Sequence, residues 1–167
     1  MDAYYATFFR ELQHSGVSYV LCGGLAIVLQ GFRRFTADID IIISLQIENV
    51  LRFVELVSRL GYRPRLPIPA VELADPEKRR FWREEKGAQV FTFCDPSSPY
   101  RQIDVFISEP IPFEELHAAS ILRCDSDFEI RVASIEHLLR MKRQIQPPRD
   151  HDTIDILMLE RMLSDRR

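Results

Sequence analysis

The sequence has little of what several protein classes depend on. It contains 3 cysteines among 167 residues, and no hydrophobic run approaches the roughly 18 apolar residues of a membrane-spanning helix. Cys22, Cys94 and Cys124 are odd in number and widely spaced, which argues against a disulfide framework or a paired-cysteine zinc site. We interpret them as buried small hydrophobes. We therefore expect a cytoplasmic protein with no membrane association.

A strong charge of either sign is also lacking. The formal net charge is -3, so a nucleic-acid site would have to be a local patch on a mildly acidic surface. Hydrophobic residues make up 46% of the chain and charged residues 28%, a balance typical of a folded protein. The length fits a single domain over 1–167, with a core over about 15–132 and a helical hairpin over about 134–165.

Hydrophobic periodicity and turn residues divide the chain into alternating helices and strands. The helices are predicted over 3–14, 25–30, 47–60, 77–86, 134–145 and 150–163, and the strands over 17–22, 39–43, 89–94, 102–107, 121–124 and 128–132. The proline-rich segment 64–76 is predicted as a loop with a helical turn near Val71. This order predicts an α/β (α+β) fold, a mixed sheet flanked by helices with a C-terminal helical hairpin.

Two acids precede and interrupt the most β-favouring run of the sequence. Asp38 and Asp40 stand two residues apart around Ile39, so on a strand their side chains point to the same face and repel one another. A hard cation such as Mg²⁺, which takes carboxylate and phosphate oxygens together, would resolve that conflict. The alternative is a turn before the strand with solvated acids.

A glycine pair and a third acid extend this pattern. Gly23 and Gly24 lie between a predicted strand and a predicted helix, where backbone N–H groups can approach an anion. Asp104 lies inside an otherwise apolar strand, which is costly unless the acid is paired or metal-bound. A glycine turn without a ligand and a buried salt bridge of Asp104 to an arginine are the alternatives. Together with Asp38 and Asp40, Asp104 would complete a two-metal clamp.

These residues resemble the signature of the nucleotidyltransferase superfamily, which has the fold of DNA polymerase β. The signature is a glycine pair, a helix, Asp-x-Asp on a strand and a third acid on a neighbouring strand, matched here by Gly23, Gly24, Asp38, Asp40 and Asp104. The chain is most similar to a small bacterial subgroup that includes the nucleotidyltransferase toxins of type IV toxin–antitoxin systems. Arg34 and Thr36 take the places of a Gly-x-x-Arg-x-Thr stretch that the subgroup often shows, and 136–155 resembles its terminal helical hairpin.

The resemblance implies transfer of a nucleoside monophosphate from a nucleoside triphosphate, ATP among them, to a hydroxyl. Asp38, Asp40 and Asp104 are then the catalytic and metal-binding residues for Mg²⁺ or Mn²⁺, and Asp104 accepts the proton of the attacking hydroxyl. The predicted nucleotide-binding residues are Gly23, Gly24, Arg34, Thr36 and Lys142. Many active relatives carry serine where this chain has Gly24, so backbone N–H groups would have to supply that contact.

Other charged residues have competing interpretations. Lys142 either contacts a phosphate or is a solvated helix lysine, and Arg33 and Arg34 either reach the triphosphate or solvate a loop. We assign Asp152 and Asp155 to helix capping and buried pairing. His151 is interpreted as a surface residue, and the basic and aromatic segment 78–83 as an exposed helix with i,i+4 ion pairs rather than a nucleic-acid site.

The acceptor implied by the resemblance is an RNA end, a protein side chain or a small molecule such as an antibiotic, and an antitoxin partner is a further implication. A second hypothesis is a catalytically silent module that binds a nucleotide or a partner. A third is a structural protein whose acids pair with arginines. Metal-dependent nucleotide binding separates the third from the other two.

Overall fold

The computed structural model describes residues 3–125 and 128–165. Its helices are α1 (Ala3–His14), α2 (Gly23–Leu29), α3 (Ile47–Arg59), α4 (Pro76–Lys86), α5 (Phe113–Ala118), α6 (Ile135–Arg143) and α7 (Asp150–Ser164). Its strands are β1 (Tyr19–Cys22), β2 (Ile39–Ile43), β3 (Arg63–Pro64), β4 (Val90–Asp95), β5 (Ser98–Phe106), β6 (Ile121–Asp125) and β7 (Phe128–Val132). A 3-10 helix over Ala70–Ala74 matches the helical turn predicted near Val71.

The strands form one mixed sheet in the order β3-β4-β5-β2-β1-β7-β6. The two central strands, β1 and β2, run antiparallel, and each has a parallel neighbour on its outer side, β7 and β5 respectively. β1 is buried along its whole length, and so are the isoleucines of β2, which explains their continuous apolar character. The predicted class, a mixed sheet flanked by helices, is confirmed.

Helices cover the sheet through apolar faces. Phe8, Phe9 and Leu12 of α1 and Phe53 and Leu56 of α3 are almost fully buried in the core. Each of these sets follows helical spacing, so one face of each helix supplies the contact. At roughly 2 kcal/mol for each large side chain removed from water, this burial is a major source of stability.

The C-terminal helices form the predicted hairpin. Ser134 caps α6 by accepting a hydrogen bond from the His137 N–H at 3.3 Å. At the start of α7, the Asp152 carboxylate accepts the Arg149 N–H at 3.2 Å, so the predicted capping role of Asp152 is confirmed. In the described part of the chain, no helix is long and apolar enough to span a membrane.

Several boundaries differ from the sequence prediction. α2 begins at Gly23 rather than residue 25, and β5 begins at Ser98 rather than residue 102, which shortens the hairpin connection. The short β3 and α5 were not predicted, because neither is long enough to show a periodic pattern. The interpretation of all cysteines as buried is wrong: Cys22 is buried, but Cys94 is only partly covered and Cys124 is exposed.

Candidate active site

The sheet register brings the predicted acids together. β2 and β5 are parallel neighbours, and their pairing sets Asp40 directly opposite Asp104. Asp38 comes immediately before β2, two residues from Asp40, and therefore lies on the same side of the sheet. Three acids from separate parts of the sequence thus converge at one end of the central strands.

The glycine turn lies against Asp40. Gly23 has a positive φ of 63°, and a Cβ built on it would fall 2.0 Å from the Asp40 Oδ2. The Gly24 N–H donates a hydrogen bond to the Asp40 carboxylate, which lowers its pKa. A side chain at position 23 is excluded both by its backbone conformation and by this close approach.

Gly24 packs against the segment before β2. A Cβ at this position would lie 2.7 Å from the Thr36 Oγ1 and 3.2 Å from the Arg34 Cζ. The space that a side chain at position 24 would need is therefore filled by Thr36 and Arg34. The Tyr5 hydroxyl donates to the Thr36 and Ala37 carbonyl oxygens at 3.2 and 3.1 Å, which fixes this segment against α1.

Burial and mutual repulsion raise the pKa of two acids. Desolvation, followed by the charges of Asp104 and Asp38, raises the pKa of Asp40 to about 6. Desolvation and the charge of Asp104 raise the pKa of Asp38, against a lowering by Arg65. These carboxylates therefore lack enough nearby positive charge, which is the condition a bound cation would relieve.

The buried salt bridge considered for Asp104 is not found. The Asp104 Oδ1 instead accepts a hydrogen bond from the Thr92 hydroxyl at 2.6 Å, across the β4–β5 pair. None of the ion pairs found over 3–125 and 128–165 includes Asp38, Asp40 or Asp104. Thr92 is a contact that the sequence reasoning missed, because it depends on strand register.

The donor set fits a hard divalent cation. Carboxylate oxygens are the preferred ligands of Mg²⁺ and Mn²⁺, and the three acids interact electrostatically with one another. Within the described residues, no three side chains already stand in metal-ligating positions. Asp40 is hydrogen-bonded to Gly24 and Asp104 to Thr92, so side-chain rotation would accompany metal binding.

A second group of charges surrounds Lys142. This lysine is buried, so its interpretation as a solvated helix residue is wrong. Its Nζ lies 2.7 Å from the Asp152 Oδ1 and 2.9 Å from the Asp155 Oδ2. Arg34 also pairs with Asp155, and Arg149 with Asp152 at 2.8 Å. The predicted buried pairing of Asp152 and Asp155 is confirmed, and the network connects the Arg34 segment to the C-terminal hairpin.

A cleft of about 630 Å³ joins these features. The polar part of its lining contains every predicted site residue, namely Gly23, Gly24, Arg34, Thr36, Asp38, Asp40, Asp104 and Lys142. His151 and Arg149 also line it, and His151 is exposed, so its interpretation as a surface residue is confirmed. Arg33, by contrast, is exposed and is not part of the lining. The rest of the lining is uncharged and includes the apolar side chains of Val90, Phe106 and Met141, which no sequence motif indicated.

Solved structures share this fold. The lincosamide antibiotic adenylyltransferase LnuA, determined with lincomycin bound, is 16% identical with a TM-score of 0.57, over 97% of this chain and 98% of its own. The antibiotic-resistance factor ANT(2'')-Ia is 14% identical with a TM-score of 0.54, over 99% and 94%. A candidate nucleotidyltransferase from Thermotoga maritima is 12% identical with a TM-score of 0.57, over 98% and 92%. At these identities the likeness concerns the fold.

The sequence itself matches a family model. The model of the nucleotidyl transferase AbiEii toxin of type IV toxin–antitoxin systems matches residues 8–166. A comparison with curated proteins gave no match. The family match covers all of the acids, the glycine turn and the lysine network.

Proposed function

This chain belongs to the AbiEii family of nucleotidyltransferase toxins from type IV toxin–antitoxin systems, and we propose that it is a metal-dependent enzyme that transfers a nucleoside monophosphate from a nucleoside triphosphate to a hydroxyl. The observation that carries the proposal is the convergence of Asp38, Asp40 and Asp104 beside a glycine turn in one cleft. The raised pKa of Asp40 supports it, because a desolvated carboxylate beside other carboxylates is costly unless a ligand compensates.

Asp38, Asp40 and Asp104 would hold Mg²⁺ or Mn²⁺. When bound, the cation would neutralise charge on the triphosphate and orient it for displacement. The Gly24 N–H, which donates to the Asp40 carboxylate, is a backbone donor beside these acids and would also be suited to a phosphate oxygen. The Thr36 hydroxyl supplies a second donor beside Gly24, in the position of the missing serine side chain.

Lys142 and Arg34 contribute positive charge to the same end of the cleft. Both side chains pair with carboxylates, so we assign them to holding the triphosphate site in place and making its electrostatic potential more positive. Any direct contact of either side chain with a phosphate would be shared with Asp155. The charge of Lys142 already lowers the pKa of Asp40, which places its field at the acids. Such preorganised charge is how these transfers are accelerated.

Asp104 would act as the proton acceptor. The acceptor hydroxyl oxygen bonds to the α-phosphorus, the bond between that phosphorus and the bridging oxygen to the β-phosphorus breaks, and pyrophosphate leaves with the bonding electrons. The hydroxyl proton moves to the Asp104 carboxylate. Thr92, which hydrogen-bonds the Asp104 Oδ1, would hold this carboxylate in place.

Two acceptor classes have support. The name of the family supports a toxin within a system that includes an antitoxin, and for such a toxin we propose an RNA end or a protein hydroxyl as the acceptor. The names of LnuA and ANT(2'')-Ia associate this fold with antibiotics, which supports a small-molecule acceptor as the alternative. We favour the toxin assignment, because the family match rests on the sequence over nearly the whole chain.

Calorimetric titration of ATP, GTP, CTP and UTP with Mg²⁺ tests the proposal. The parent chain should bind at least one triphosphate in a metal-dependent manner, and Asp38→Asn/Asp40→Asn should lose that binding. Glu77→Gln/Glu84→Gln is the matched control, since it removes two exposed carboxylates of α4. Absence of binding by the parent would contradict an enzyme of this kind, and equal binding by the aspartate variant would contradict this site.

A further inference from the structure

The lining of the cleft has a charged and an uncharged part. The acids and the cationic side chains of Arg34, Lys142 and Arg149 form the charged part, and Gln89, Val90, Phe106, Met141, Gln144 and Ile145 form the uncharged part. A ligand that filled the whole cleft would therefore need one highly charged part and one uncharged, apolar-faced part. This requirement rests on the proposed function only in that the charged part is a triphosphate.

The β4–β5 pair and α6 with the residues after it supply the uncharged lining. On the β4–β5 pair, the rung that joins Thr92 and Asp104 is followed on the same face by the rung that joins Val90 and Phe106. Leu138 and Met141 of α6, and Ile145 just beyond it, line the same cavity at helical spacing, next to the charged Lys142. Phe106 thus lines the cavity two residues from a candidate metal ligand, together with aliphatic side chains from α6.

Phe106 has the character of a stacking residue. It is only partly buried, and none of the aromatic pairs found in the described chain involves its ring. The neighbouring aromatics Phe91 and Phe93 stack on one another inside the core, at 5.0 Å between centroids. A ring on the wall of a cleft with no aromatic partner is suited to a planar ligand group.

Amides lie at the edge of this wall. The Gln144 Nε2 donates to the Pro110 carbonyl oxygen at 3.4 Å, which leaves its side-chain carbonyl oxygen and a second N–H for other partners. Gln89 reaches the same lining from the start of β4. A carboxamide offers a donor and an acceptor side by side, the arrangement that matches the polar edge of a nucleobase.

We propose that the wall formed by Phe106, Val90, Met141 and Ile145, with Gln144 at its edge, is the subsite for the nucleobase of the triphosphate. The base is the only part of a nucleoside triphosphate with apolar faces and a hydrogen-bonding rim. A continuous cavity of about 630 Å³ lies in the range that encloses one small-molecule ligand, so the phosphate and base ends belong to the same molecule. Phe106 is accordingly a specificity-determining residue.

Inorganic tripolyphosphate separates the two ends of the cleft. The parent chain, Phe106→Ala and Tyr100→Ala are titrated with Mg²⁺-tripolyphosphate and with the Mg²⁺-nucleoside triphosphate that the parent binds best. Tyr100 is the control, because it lies on the same strand but is 79% exposed and outside the cleft. Phe106→Ala should weaken triphosphate affinity at least about fivefold and leave tripolyphosphate affinity unchanged, as expected for loss of one stacked base. Tyr100→Ala should change neither.

Every other result contradicts the proposal, and the pattern of affinities shows which part of it fails. Equal weakening of both ligands, or of neither, with a binding-competent parent would overturn the base subsite and leave the proposed transferase intact. A parent that binds neither ligand would overturn the proposed function and the subsite together. Phe106→Leu, which keeps most of the volume and removes the ring, and Gln144→Ala provide the same test should Phe106→Ala fail to fold by thermal melting.

Discussion

Two groups of aspartates lie within electrostatic reach of Lys142 and differ in their surroundings. Asp152 and Asp155 at the start of α7 are 0% and 2% exposed, yet each contacts two cationic side chains. Burial raises the pKa of Asp152, but hydrogen bonds from Arg149 and Lys142 outweigh it and lower the pKa. Asp40, among the acids at the ends of the central strands, has a raised pKa and no ion pair among the described residues.

The difference separates a structural role from a functional one. A buried carboxylate that is fully paired costs the fold little and joins the elements that supply its partners. A buried carboxylate without a partner costs stability, and it persists only where a ligand or a reaction uses it. The α7 acids join the hairpin to the segment of Arg34, and the strand acids are those that we propose bind a cation and a triphosphate.

The largest expected effect comes from breaking the paired group. Asp155→Asn leaves Arg34 without its partner and Lys142 with one carboxylate, and we expect a loss of about 3 kcal/mol in the free energy of unfolding. Urea denaturation measures it. Glu160→Gln is the control on the same helix, because its pair with Arg143 is exposed and should contribute less than about 1 kcal/mol. Similar losses in the two variants would contradict the structural role of the buried network.

The pH dependence of stability should also distinguish Asp40 from Asp152. The folded pKa of Asp40, about 6, lies above its unfolded value of 3.8, so the folded state binds the proton more tightly and stability falls as pH rises from about 4 to 6. The lowered pKa of Asp152 has the opposite effect, since its contribution is complete above about pH 5 and is lost as the pH falls below that. We therefore expect Asp40→Asn to remove a decline on the order of 2 kcal/mol.

The measurement is urea denaturation of the parent and Asp40→Asn at several pH values. The difference between the two chains is the informative quantity, because His117, whose pKa is lowered by desolvation, gives the opposite slope in both. Saturating Mg²⁺ should flatten the parent profile, since a bound cation favours the ionised carboxylate. Identical profiles for the parent and the variant would mean that the pKa of Asp40 is not raised in the folded state.

The strand acids could be predicted from the sequence. The ion-pair network around Lys142 could be predicted only in part. Alternation along a strand places Asp38 and Asp40 on one face, and an acid inside an apolar strand is visible as an anomaly at Asp104. The direct pairing of Asp40 with Asp104 depends on a parallel register that no local pattern encodes. Likewise, a lysine at the end of a helix gives no sign that Asp152 and Asp155 will bury it.

The cleft wall and the crowding around Gly24 could not be predicted from the sequence, because both depend on contacts between distant segments. Phe106 has the sequence character of any core residue of a strand, and only the position of α6 makes it part of a cavity. The glycine at position 24 appeared as a departure from the serine that many active members carry. A side chain there would crowd Thr36, which is twelve residues further along the chain and outside the turn.

The smallest expected effect concerns this contact between Gly24 and Thr36. Gly24→Ser places a Cβ 2.7 Å from the Thr36 Oγ1, and since Arg34, 3.2 Å away, is held by Asp155, the segment has little freedom to move. We expect a loss of about 1–2 kcal/mol in the free energy of unfolding. Combining Gly24→Ser with Thr36→Ala should recover about 1 kcal/mol relative to the sum of the single changes, because the crowding atom is gone.

The same double-mutant cycle tests the proposed role of the Thr36 hydroxyl as a phosphate donor. If Thr36 replaces the serine of relatives, Thr36→Ala should weaken binding of the Mg²⁺-triphosphate by about 1 kcal/mol, the loss of one hydrogen bond. The double variant then carries a hydroxyl at position 24 and should regain that affinity. Additive losses in both stability and affinity would show that the two positions act independently, and Gly24 would then be no more than a flexible residue of the turn.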